Sequence, residues 1–433
     1  MKRRLLVISI DSMVEEDIPV MMALPNFKRV LEKSSIVKKM ESTYPTLTHS
    51  IHTSIMTGCY PEHHHIINNE IFIDGEGPGE WFEHASSVGV PTLADEAKRL
   101  GLKTAYVYWP LTLGAKHPWV LHRSGVHGGL PGETMQDTVR RKSTVGLLDE
   151  VMPAVSDCWE QPDRYHINDL FCARAVSYLT KTYQPDIIYT HLTLIDRTRH
   201  SRGVFSDALQ PAYQFLDECI GIMLDAIEQT GLGDQTIINI TSDHGHCDID
   251  HVTSINRFLS LHGFVDYDEQ GVKITDYRAY CHTASLSAQI YVKDHDPVVR
   301  DKVYKLLHDN MEYLGISEIL TVRQCEERFH TNGNYDFMIE SDGKASFSAR
   351  ANYTDIFTKC DISDYRTSVA THGHMPHKGV QPSFFLYNPF AKDKVVLEHG
   401  RIIDQAPTLA KLLGFDMPCA DGKPIEELVD LSK

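Results

Sequence analysis

Residues 4–11 read RLLVISID, an apolar and β-branched run that ends at an aspartate. Such a run is typical of a strand in a parallel sheet, because helices cover both faces of that sheet. In open α/β sheets, ligands bind beyond the carboxyl ends of the strands. The stretch therefore predicts the first strand of an α/β fold, with Asp11 at the edge where a site is expected.

The rest of the chain alternates strand and helix patterns. Similar apolar runs occur at TAYVYW (104–109), DIIYTHLTL (186–194) and QTIINIT (235–241). Between them, PTLADEAKRLG (91–101) ends in a capping glycine, and the pattern at 206–231 places Leu216, Ile220, Met223 and Ile227 on one stripe. This alternation predicts a doubly wound, mostly parallel α/β sheet flanked by helices.

The pattern changes between about 250 and 370. Short strands such as LSAQIYV (286–292) surround a helical pattern at 297–315, and the α/β texture then returns with PSFFLYN (382–388) and a final helix at 404–414. We therefore expect a catalytic core formed by residues 1–250 and 365–433. Residues 251–364 would form an inserted, cap-like α+β region with antiparallel strands.

Composition excludes some classes of partner. The chain has 433 residues and a formal net charge of −17, which disfavours nucleic-acid polymers and anionic membranes as partners. Nine scattered cysteines without a C-x-x-C pair are poor material for a disulfide scaffold. The first apolar run is too short for a signal peptide, and no run reaches transmembrane length. These features predict a cytoplasmic protein, and the oligomeric state stays open.

Residues with metal-binding side chains fall at the predicted strand ends. They are Asp11 after the first strand, Asp196 and His200 in DRTRH, Asp243 and His244 in SDHGH, and His372 in ATHGHMPHKG. Carboxylates and imidazoles delivered to one sheet edge suit Zn²⁺, and less strictly Mn²⁺ or Fe²⁺. Three converging carboxylates without cations would repel one another and a phosphate group, whereas bound dications reverse that field.

A hydroxyl-rich stretch supplies a candidate nucleophile. In YPTLTHS (44–50), Thr46 and Thr48 both lie near a predicted helix start, and the stretch alone does not choose between them or exclude a polar helix surface. A threonine hydroxyl is a weak nucleophile at neutral pH. No Ser-His-Asp type of base partner is evident, so metal coordination is the expected route of activation.

The order of these motifs resembles that of the alkaline phosphatase superfamily, and within it the nucleotide pyrophosphatase/phosphodiesterase (type I phosphodiesterase) family. The resemblance implies that Thr48 is the nucleophile, that a phosphothreonine forms on it, and that Thr46 is structural. It implies two divalent ions, most naturally Zn²⁺. One would be held by Asp196, His200 and His372, and the other by Asp11, Thr48, Asp243 and His244. Asn69 in IINNE would donate to a substrate phosphoryl oxygen, with Asn68 as the alternative.

Some residues depart from the family pattern. Arg199 stands where the family often has glycine, which leaves the conformation of the D-x-x-x-H segment open, and Ser12 and Met13 replace a more usual glycine after Asp11. Further histidines have no assigned role, and we expect supporting or surface positions for them rather than direct ligation. They are His49, His52, His63, His64, His65, His246, His374 and His377.

The resemblance favours hydrolysis of phosphodiester or pyrophosphate bonds in a small phosphorylated substrate such as a nucleotide. Phosphonoacetate-hydrolase-like or phosphomonoesterase activity on the same site is the alternative, and a non-catalytic binder of a phosphorylated ligand is a further one. An aromatic platform for a base could come from four residues that otherwise belong to the core, namely Trp81, Phe82, Tyr108 and Trp109.

Overall fold

The computed structural model describes residues 2–74, 77–122, 129–268, 274–350 and 355–429. Its strands are β1 (Arg4–Ile10), β2 (Ser35–Glu41), β3 (Glu70–Ile73), β4 (Gly77–Trp81), β5 (Thr104–Val107), β6 (Trp119–Leu121), β7 (Ile187–Leu192), β8 (Thr236–Thr241), β9 (Cys247–Asp248), β10 (His251–Ser254), β11 (Val265–Tyr267), β12 (Ile274–Tyr277), β13 (Ala279–Thr283), β14 (Ser287–Val292), β15 (Ile316–Thr321), β16 (Phe337–Ser341), β17 (Ala345–Ser348), β18 (Phe357–Thr358), β19 (Ala370–Thr371), β20 (Phe384–Tyr387) and β21 (Val396–Arg401). Its helices are α1 (Ile18–Ala23), α2 (Pro25–Leu31), α3 (Thr48–Thr57), α4 (Pro61–His64), α5 (Leu93–Arg99), α6 (Met135–Lys142), α7 (Leu147–Val155), α8 (Arg164–Thr182), α9 (Leu194–Arg202), α10 (Leu209–Gln229), α11 (Ile255–Leu261), α12 (Pro297–Asp309), α13 (Met311–Leu314), α14 (Val322–Phe329), α15 (Gln405–Leu413) and α16 (Glu426–Val429).

The central feature is an eight-stranded sheet with the order β21-β2-β20-β8-β1-β7-β5-β6. Strand β1 lies between β8 and β7 and runs parallel to both, and β5 runs parallel to β7 and β6. Strand β20 alone reverses direction, because it pairs antiparallel with both β8 and β2. The predicted α/β fold with a mostly parallel central sheet is confirmed.

Strand β1 is buried along its whole length and contributes to two hydrophobic cores. Leu6, Ile8 and Ile10 pack with residues of α8 and α10, whereas Leu5 and Val7 pack with residues of α3 and α15. Alternate side chains of a strand point to opposite faces, so a continuous apolar run fills both layers. This arrangement fixes the strand's register and the position of its carboxyl end.

Most predicted elements are present with shifted ends. The stripe on α10 is buried, as its period of about 3.6 residues requires. The helical pattern at 297–315 is divided into α12 and α13. The predicted last strand, β20, is followed by β21, and the sequence reading missed β21 and β2. Strand β21 is an edge strand without any buried position, so its sequence lacks the apolar run that marked the inner strands.

A second sheet lies outside the central one. Strands β13, β14, β16 and β15 form an antiparallel sheet in that order, and its apolar residues pack in a separate cluster drawn from positions 255–347. That cluster supports the proposed division at 251 and 364, which stays a proposal. Among the described helices, none is both long and apolar enough to cross a membrane. The cytoplasmic location stays a prediction.

Candidate active site

Three parallel strands deliver carboxylates and imidazoles to one sheet edge. Asp11 follows β1 directly, and Asp243 and His244 follow β8 after one intervening residue. Beyond β7, helix α9 carries Asp196 and His200 one turn apart, so both face the same side. Because β1, β7 and β8 are parallel neighbours, these side chains meet above the middle of the sheet.

His372 reaches the same edge by a different route. It follows β19, which pairs antiparallel with β9 so that Thr371 lies opposite Cys247. One further step in this register places His372 opposite His246. The next sheet strand, β20, runs antiparallel, so the chain enters it from the edge where the parallel strands end. Because β20 runs in the opposite direction, His372, which precedes β20, lies at the same edge as the residues that follow β1, β7 and β8.

One group of candidate ligands surrounds the Nε2 atom of His244. That nitrogen lies 3.3 Å from Thr48 Oγ1, 3.5 Å from Asp11 Oδ1 and 3.2 Å from Asp243 Oδ2. Atoms that bind one Zn²⁺ tetrahedrally at 2.0–2.1 Å lie about 3.3–3.5 Å apart. Thr48, Asp11 and Asp243 thus each place an oxygen at such a distance from the His244 nitrogen. The group whose donor atoms all lie within 4.8 Å of one another, however, joins Asp11 and His244 with Asp196 and does not include Asp243.

A second group surrounds the Oδ1 atom of Asp196. This oxygen lies 3.2 Å from His200 Nε2 and 3.8 Å from His372 Nε2. It also lies 3.4 Å from the Nε2 of His246, which the sequence reading left outside the ligand set. The donor atoms of all four residues lie within 4.8 Å of one another. His246 is buried, so the expectation of a surface position is wrong for this residue, whereas a supporting position stays a prediction.

The donor atoms fit bound cations because several are buried without a hydrogen-bond partner. These atoms are Asp196 Oδ1, His200 Nε2, His246 Nε2 and Asp243 Oδ2. Burying polar atoms without a hydrogen-bond partner costs free energy. Here the ring nitrogens point at carboxylate oxygens without forming hydrogen bonds, and a metal ion bound between them explains this arrangement. The residues present therefore fit a pair of divalent ions.

Electrostatics lead to the same conclusion. Burial lowers the pKa of His244, His246 and His372 well below the ordinary value, so their imidazoles are neutral, the form that binds metals. Burial raises the pKa of Asp243, partly offset by His52. For Asp196 burial acts in the same direction, but His200 and His246 outweigh it and the pKa falls well below the ordinary value.

Thr48 is the first residue of α3, and the residues around it hold the site together. The N–H groups of a helix start favour negative charge nearby. The Thr46 hydroxyl donates to the His374 carbonyl oxygen at 3.1 Å and accepts from the Gly373 N–H at 3.0 Å. The Thr46 carbonyl oxygen accepts from His372 Nδ1 at 2.8 Å. Thr46 thus joins the loop before Thr48 to the loop that contains His372.

The structure separates the two candidate asparagines. Asn69 lines the same cleft as Thr48, its Oδ1 accepts from the His49 N–H at 3.0 Å, and its Nδ2 donates to the Tyr365 hydroxyl at 3.3 Å. Asn68 points away and donates to Gln289 Oε1 at 2.8 Å. Of the two asparagines, Asn69 is therefore the one that faces the cleft beside Thr48.

Other histidines support the ligands or lie elsewhere. His52 holds the Thr48 carbonyl oxygen through Nδ1 at 2.7 Å and the Ser9 hydroxyl through Nε2 at 2.9 Å. His191, which the sequence reading did not single out, lies on β7 with Nε2 3.1 Å from Asp11 Oδ2. A period-2 reading of β7 places it on one face of the strand, but only the pairing with β1 reveals its partner.

The site opens into a cleft of about 280 Å³. Trp81 and Tyr365 line it, with ring centroids 5.8 Å apart and planes at 64°. Of the four aromatics considered from the sequence, Tyr108 and Trp109 belong to the core, and Phe82 lines a different pocket. Tyr365 lies in a short 3₁₀ turn, a segment without periodicity, so no sequence signal pointed to it.

A family model described as type I phosphodiesterase / nucleotide pyrophosphatase matches residues 5–375, which include all of the candidate ligands. The chain belongs to this family. Relatives are named as phosphodiesterases and nucleotide pyrophosphatases, which hydrolyse phosphorus esters. The recognition made from the motif order is therefore confirmed.

Individual relatives are distant. Ectonucleotide pyrophosphatase/phosphodiesterase family member 3 of Rattus norvegicus is 22% identical over 294 residues, which cover 64% of this chain and 28% of the relative. Family member 1 of Homo sapiens is 24% identical over 317 residues, 71% of this chain and 28% of the relative. The chain thus matches less than a third of the length of these relatives.

Solved structures of the family share the fold. An inactive variant of murine ectonucleotide pyrophosphatase/phosphodiesterase 5, in complex with AMP, superimposes with a TM-score of 0.67 at 15% identity. The match covers 99% of this chain and 100% of that one. At this identity the likeness establishes the architecture alone.

Glu340 is a buried carboxylate in this family member that joins the loop before Thr48 to the loop after His372. Its Oε2 accepts from the Tyr44 hydroxyl at 3.0 Å and its Oε1 from the Met375 N–H at 3.0 Å, and the Lys378 ammonium group lies 3.0 Å away. Burial raises the pKa of Glu340 to about 7, against the opposing effects of Lys378 and the hydrogen bonds.

This raised pKa predicts a pH-dependent stability. The protonated form of Glu340 contributes to the free energy of unfolding in full below the ordinary carboxyl pKa of 4.5, and the contribution is lost as pH rises through about 7. Between about pH 5 and pH 8, we expect the free energy of unfolding to fall more in the parent than in the Glu340→Gln variant. The two decreases should differ by an amount that approaches about 3 kcal/mol. Urea unfolding across this range measures it, with exposed Glu318→Gln as the control. Parallel curves for parent and Glu340→Gln would contradict the prediction.

Proposed function

We propose that the chain hydrolyses phosphodiester or pyrophosphate bonds in a small phosphorylated substrate, through a phosphothreonine on Thr48. One observation carries the proposal: Thr48 Oγ1 lies at the start of α3 and 3.3 Å from His244 Nε2, a nitrogen that also has oxygens of Asp11 and Asp243 within 3.5 Å. A structural threonine at a helix start needs no such group around its hydroxyl.

Two divalent ions fit this family member, with Zn²⁺ the best match to the donors and Mn²⁺ or Fe²⁺ as alternatives. The first would be held by Asp196, His200 and His372, and the second by Asp11, Thr48, Asp243 and His244. When bound, such ions stabilise negative charge on a hydroxyl oxygen and on phosphoryl oxygens.

The residues of the chain then have distinct tasks in the reaction. The Thr48 hydroxyl gives up its proton and its oxygen attacks phosphorus in line with the leaving oxygen. The bond between phosphorus and that oxygen breaks, the leaving oxygen takes the electron pair and a proton, and a phosphothreonine remains. Water then attacks the same phosphorus, the bond to Thr48 Oγ1 breaks, and a proton from the water restores the hydroxyl. The α3 N-terminus and Asn69 Nδ2 would position the phosphoryl oxygens.

The cleft supports a nucleotide as the substrate class. Trp81 and Tyr365 offer aromatic surface for a base. Arg164 and Arg197 also line the cleft, each with its guanidinium carbon within 5.6 Å of the Tyr165 ring centroid. Among the described residues, no carboxylate lies within ion-pair distance of either. Cationic groups without a carboxylate partner beside the candidate metal ligands suit a substrate with a second phosphate, even in an acidic protein.

The alternatives differ in what the site must accept. Phosphonoacetate-hydrolase-like or phosphomonoesterase activity would use the same Thr48 and ligands on a smaller substrate. A non-catalytic binder would hold a phosphorylated ligand without turnover. The size of the cleft and its aromatic and cationic lining favour a substrate with a large leaving group.

A substrate comparison tests the assignment. Chelator-treated protein is reloaded with Zn²⁺ or Mn²⁺, and kcat/KM is measured on bis-p-nitrophenyl phosphate, p-nitrophenyl phosphate and phosphonoacetate. We expect the diester to be preferred, because its second nitrophenyl group, which stays on phosphorus while the first one leaves, can contact the aromatic lining of the cleft. A monoester preference of about a hundredfold or more, equal to about 2.7 kcal/mol in the barrier, would overturn the diesterase assignment.

A further inference from the structure

Two of the departures from the family pattern, Arg199 and Ser12, lie in one chain of contacts. The Arg199 guanidinium pairs with Asp17 Oδ2 at 2.5 Å and donates from Nε to the Ser12 carbonyl oxygen at 3.1 Å. The Ser12 hydroxyl lies 2.7 Å from the Nδ1 of His246. Arg199 is completely buried in the regular helix α9, so this helix needs no glycine at that position. The contacts lead from a buried ion pair to the imidazole ring of His246.

Ser12 connects this chain to both groups of candidate ligands. Its φ is 63°, a left-handed conformation that costs a residue with a side chain about 1–3 kcal/mol. In that conformation its N–H donates to Asp243 Oδ1 at 3.2 Å while its hydroxyl holds His246. The side chain therefore has a specific contact at a position where glycine would fit with less strain.

His246 is arranged as His200 and His372 are. Each ring has its Nδ1 held by an oxygen 2.7–2.8 Å away and its Nε2 directed at Asp196. The His246 ring centroid lies 4.5 Å from that of His200 and 5.1 Å from that of His372. The carbonyl oxygens beside His200 and His372 can only accept, which fixes the tautomer in which Nε2 offers a lone pair to a metal, and the Ser12 hydroxyl can accept from His246 in the same tautomer.

A purely structural role explains the contacts less well. His246 Nε2 would then donate to Asp196, but the two atoms, 3.4 Å apart, do not meet with hydrogen-bond geometry, and both are buried without a partner. His374 shows that a buried histidine near the site need not join the ligands. Its Nδ1 also holds a carbonyl oxygen, that of Met375, and its Nε2 is also buried without a partner, but it lies outside the cluster around Asp196.

We propose that His246 is a fourth protein ligand of the ion held by Asp196, His200 and His372, and that Ser12 and Arg199 are positioning residues for it. The proposal rests on the two-metal centre of the proposed function. It gives this ion one carboxylate and three imidazoles. Four protein ligands complete the tetrahedral sphere of Zn²⁺, so a phosphoryl oxygen would bind as a fifth ligand, whereas Mn²⁺ and Fe²⁺ have further positions for substrate oxygens.

Zinc binding by the full chain tests the proposal without measuring turnover. Chelator-stripped parent and His246→Ala are titrated with Zn²⁺ in competition with a chromogenic chelator. We expect two sites in the parent and an affinity about a hundredfold or more lower at one of them in His246→Ala. His64→Ala, which removes another fully buried histidine, bonded to Ser54, should keep both affinities within about threefold.

The Ser12→Gly variant distinguishes an effect on the position of the His246 ring from an effect on folding. It removes the hydroxyl but suits the left-handed backbone, so the metal-free variant should be at least as stable as the metal-free parent. We expect about tenfold weaker zinc binding at one site and a smaller rise in Tm on adding Zn²⁺. If His246→Ala does not fold, His246→Asp keeps a ligand oxygen, and partial zinc affinity in it supports ligation.

The proposal is overturned if His246→Ala or Ser12→Gly binds two Zn²⁺ with parental affinities. It is also overturned if His246→Ala loses as much Tm in the stripped state as in the loaded state, because a structural histidine behaves in that way. Unchanged zinc binding together with diester turnover that depends on Thr48 would reject the role of His246 and leave the proposed function intact.

Discussion

The Thr48→Ala variant is expected to lose diester turnover by about three orders of magnitude or more, while it retains the metal content of the parent. The reason is that Thr48 Oγ1 is the hydroxyl placed among the candidate ligands at the start of α3, 3.3 Å from His244 Nε2. Steady-state kcat on bis-p-nitrophenyl phosphate and metal analysis of the same samples measure both quantities.

Two control variants make the test specific. Thr48→Ser keeps a hydroxyl at the same place and should retain turnover within about a hundredfold. Thr46→Ala removes the neighbouring hydroxyl, which bonds Gly373 and His374, and should lower turnover about tenfold through the His372 loop. Turnover in Thr48→Ala above a tenth of the parent value would contradict the assignment of the nucleophile.

Removal of metal is expected to have the second large effect. Dialysis against a chelator should lower diester turnover by about a thousandfold and lower Tm, because Asp11 and Asp243 then face each other across the His244 imidazole without a cation. Zn²⁺ or Mn²⁺ should restore both. Ca²⁺ is the control ion, and it should restore neither, since it prefers oxygen ligands and the two groups offer several imidazoles. Full turnover in excess chelator would contradict the account.

The inner strands and the ligands beyond them were predictable from local patterns. Every side chain of an apolar run such as β1 is buried when the strand lies inside a parallel sheet that is covered on both faces. A polar residue that follows such a strand then lies at the edge of the sheet. The same reasoning found Asp243 and His244 after β8. Strand β21 carried no such signal, because an edge strand with exposed polar side chains resembles a loop.

The places of His246 and Tyr365 in the site were not predicted from sequence patterns. Residues 242–246 belong to neither a helix nor a strand, and in extended chain positions i and i+2 face the same side, which is the signal that could have linked His246 to His244. The pairing of β19 with β9, which brings His372 opposite His246, is a long-range contact of two-residue strands. Such short strands leave no periodicity to read.

The central claim is that two divalent ions bind between side chains drawn from the whole length of the fold. Anomalous diffraction at the zinc edge, from crystals of the chain reloaded with Zn²⁺, tests it most directly. We predict two peaks about 4 Å apart, one among Asp196, His200, His246 and His372 and one among Asp11, Thr48, Asp243 and His244. A single peak, or two peaks that do not contact these side chains, would contradict it.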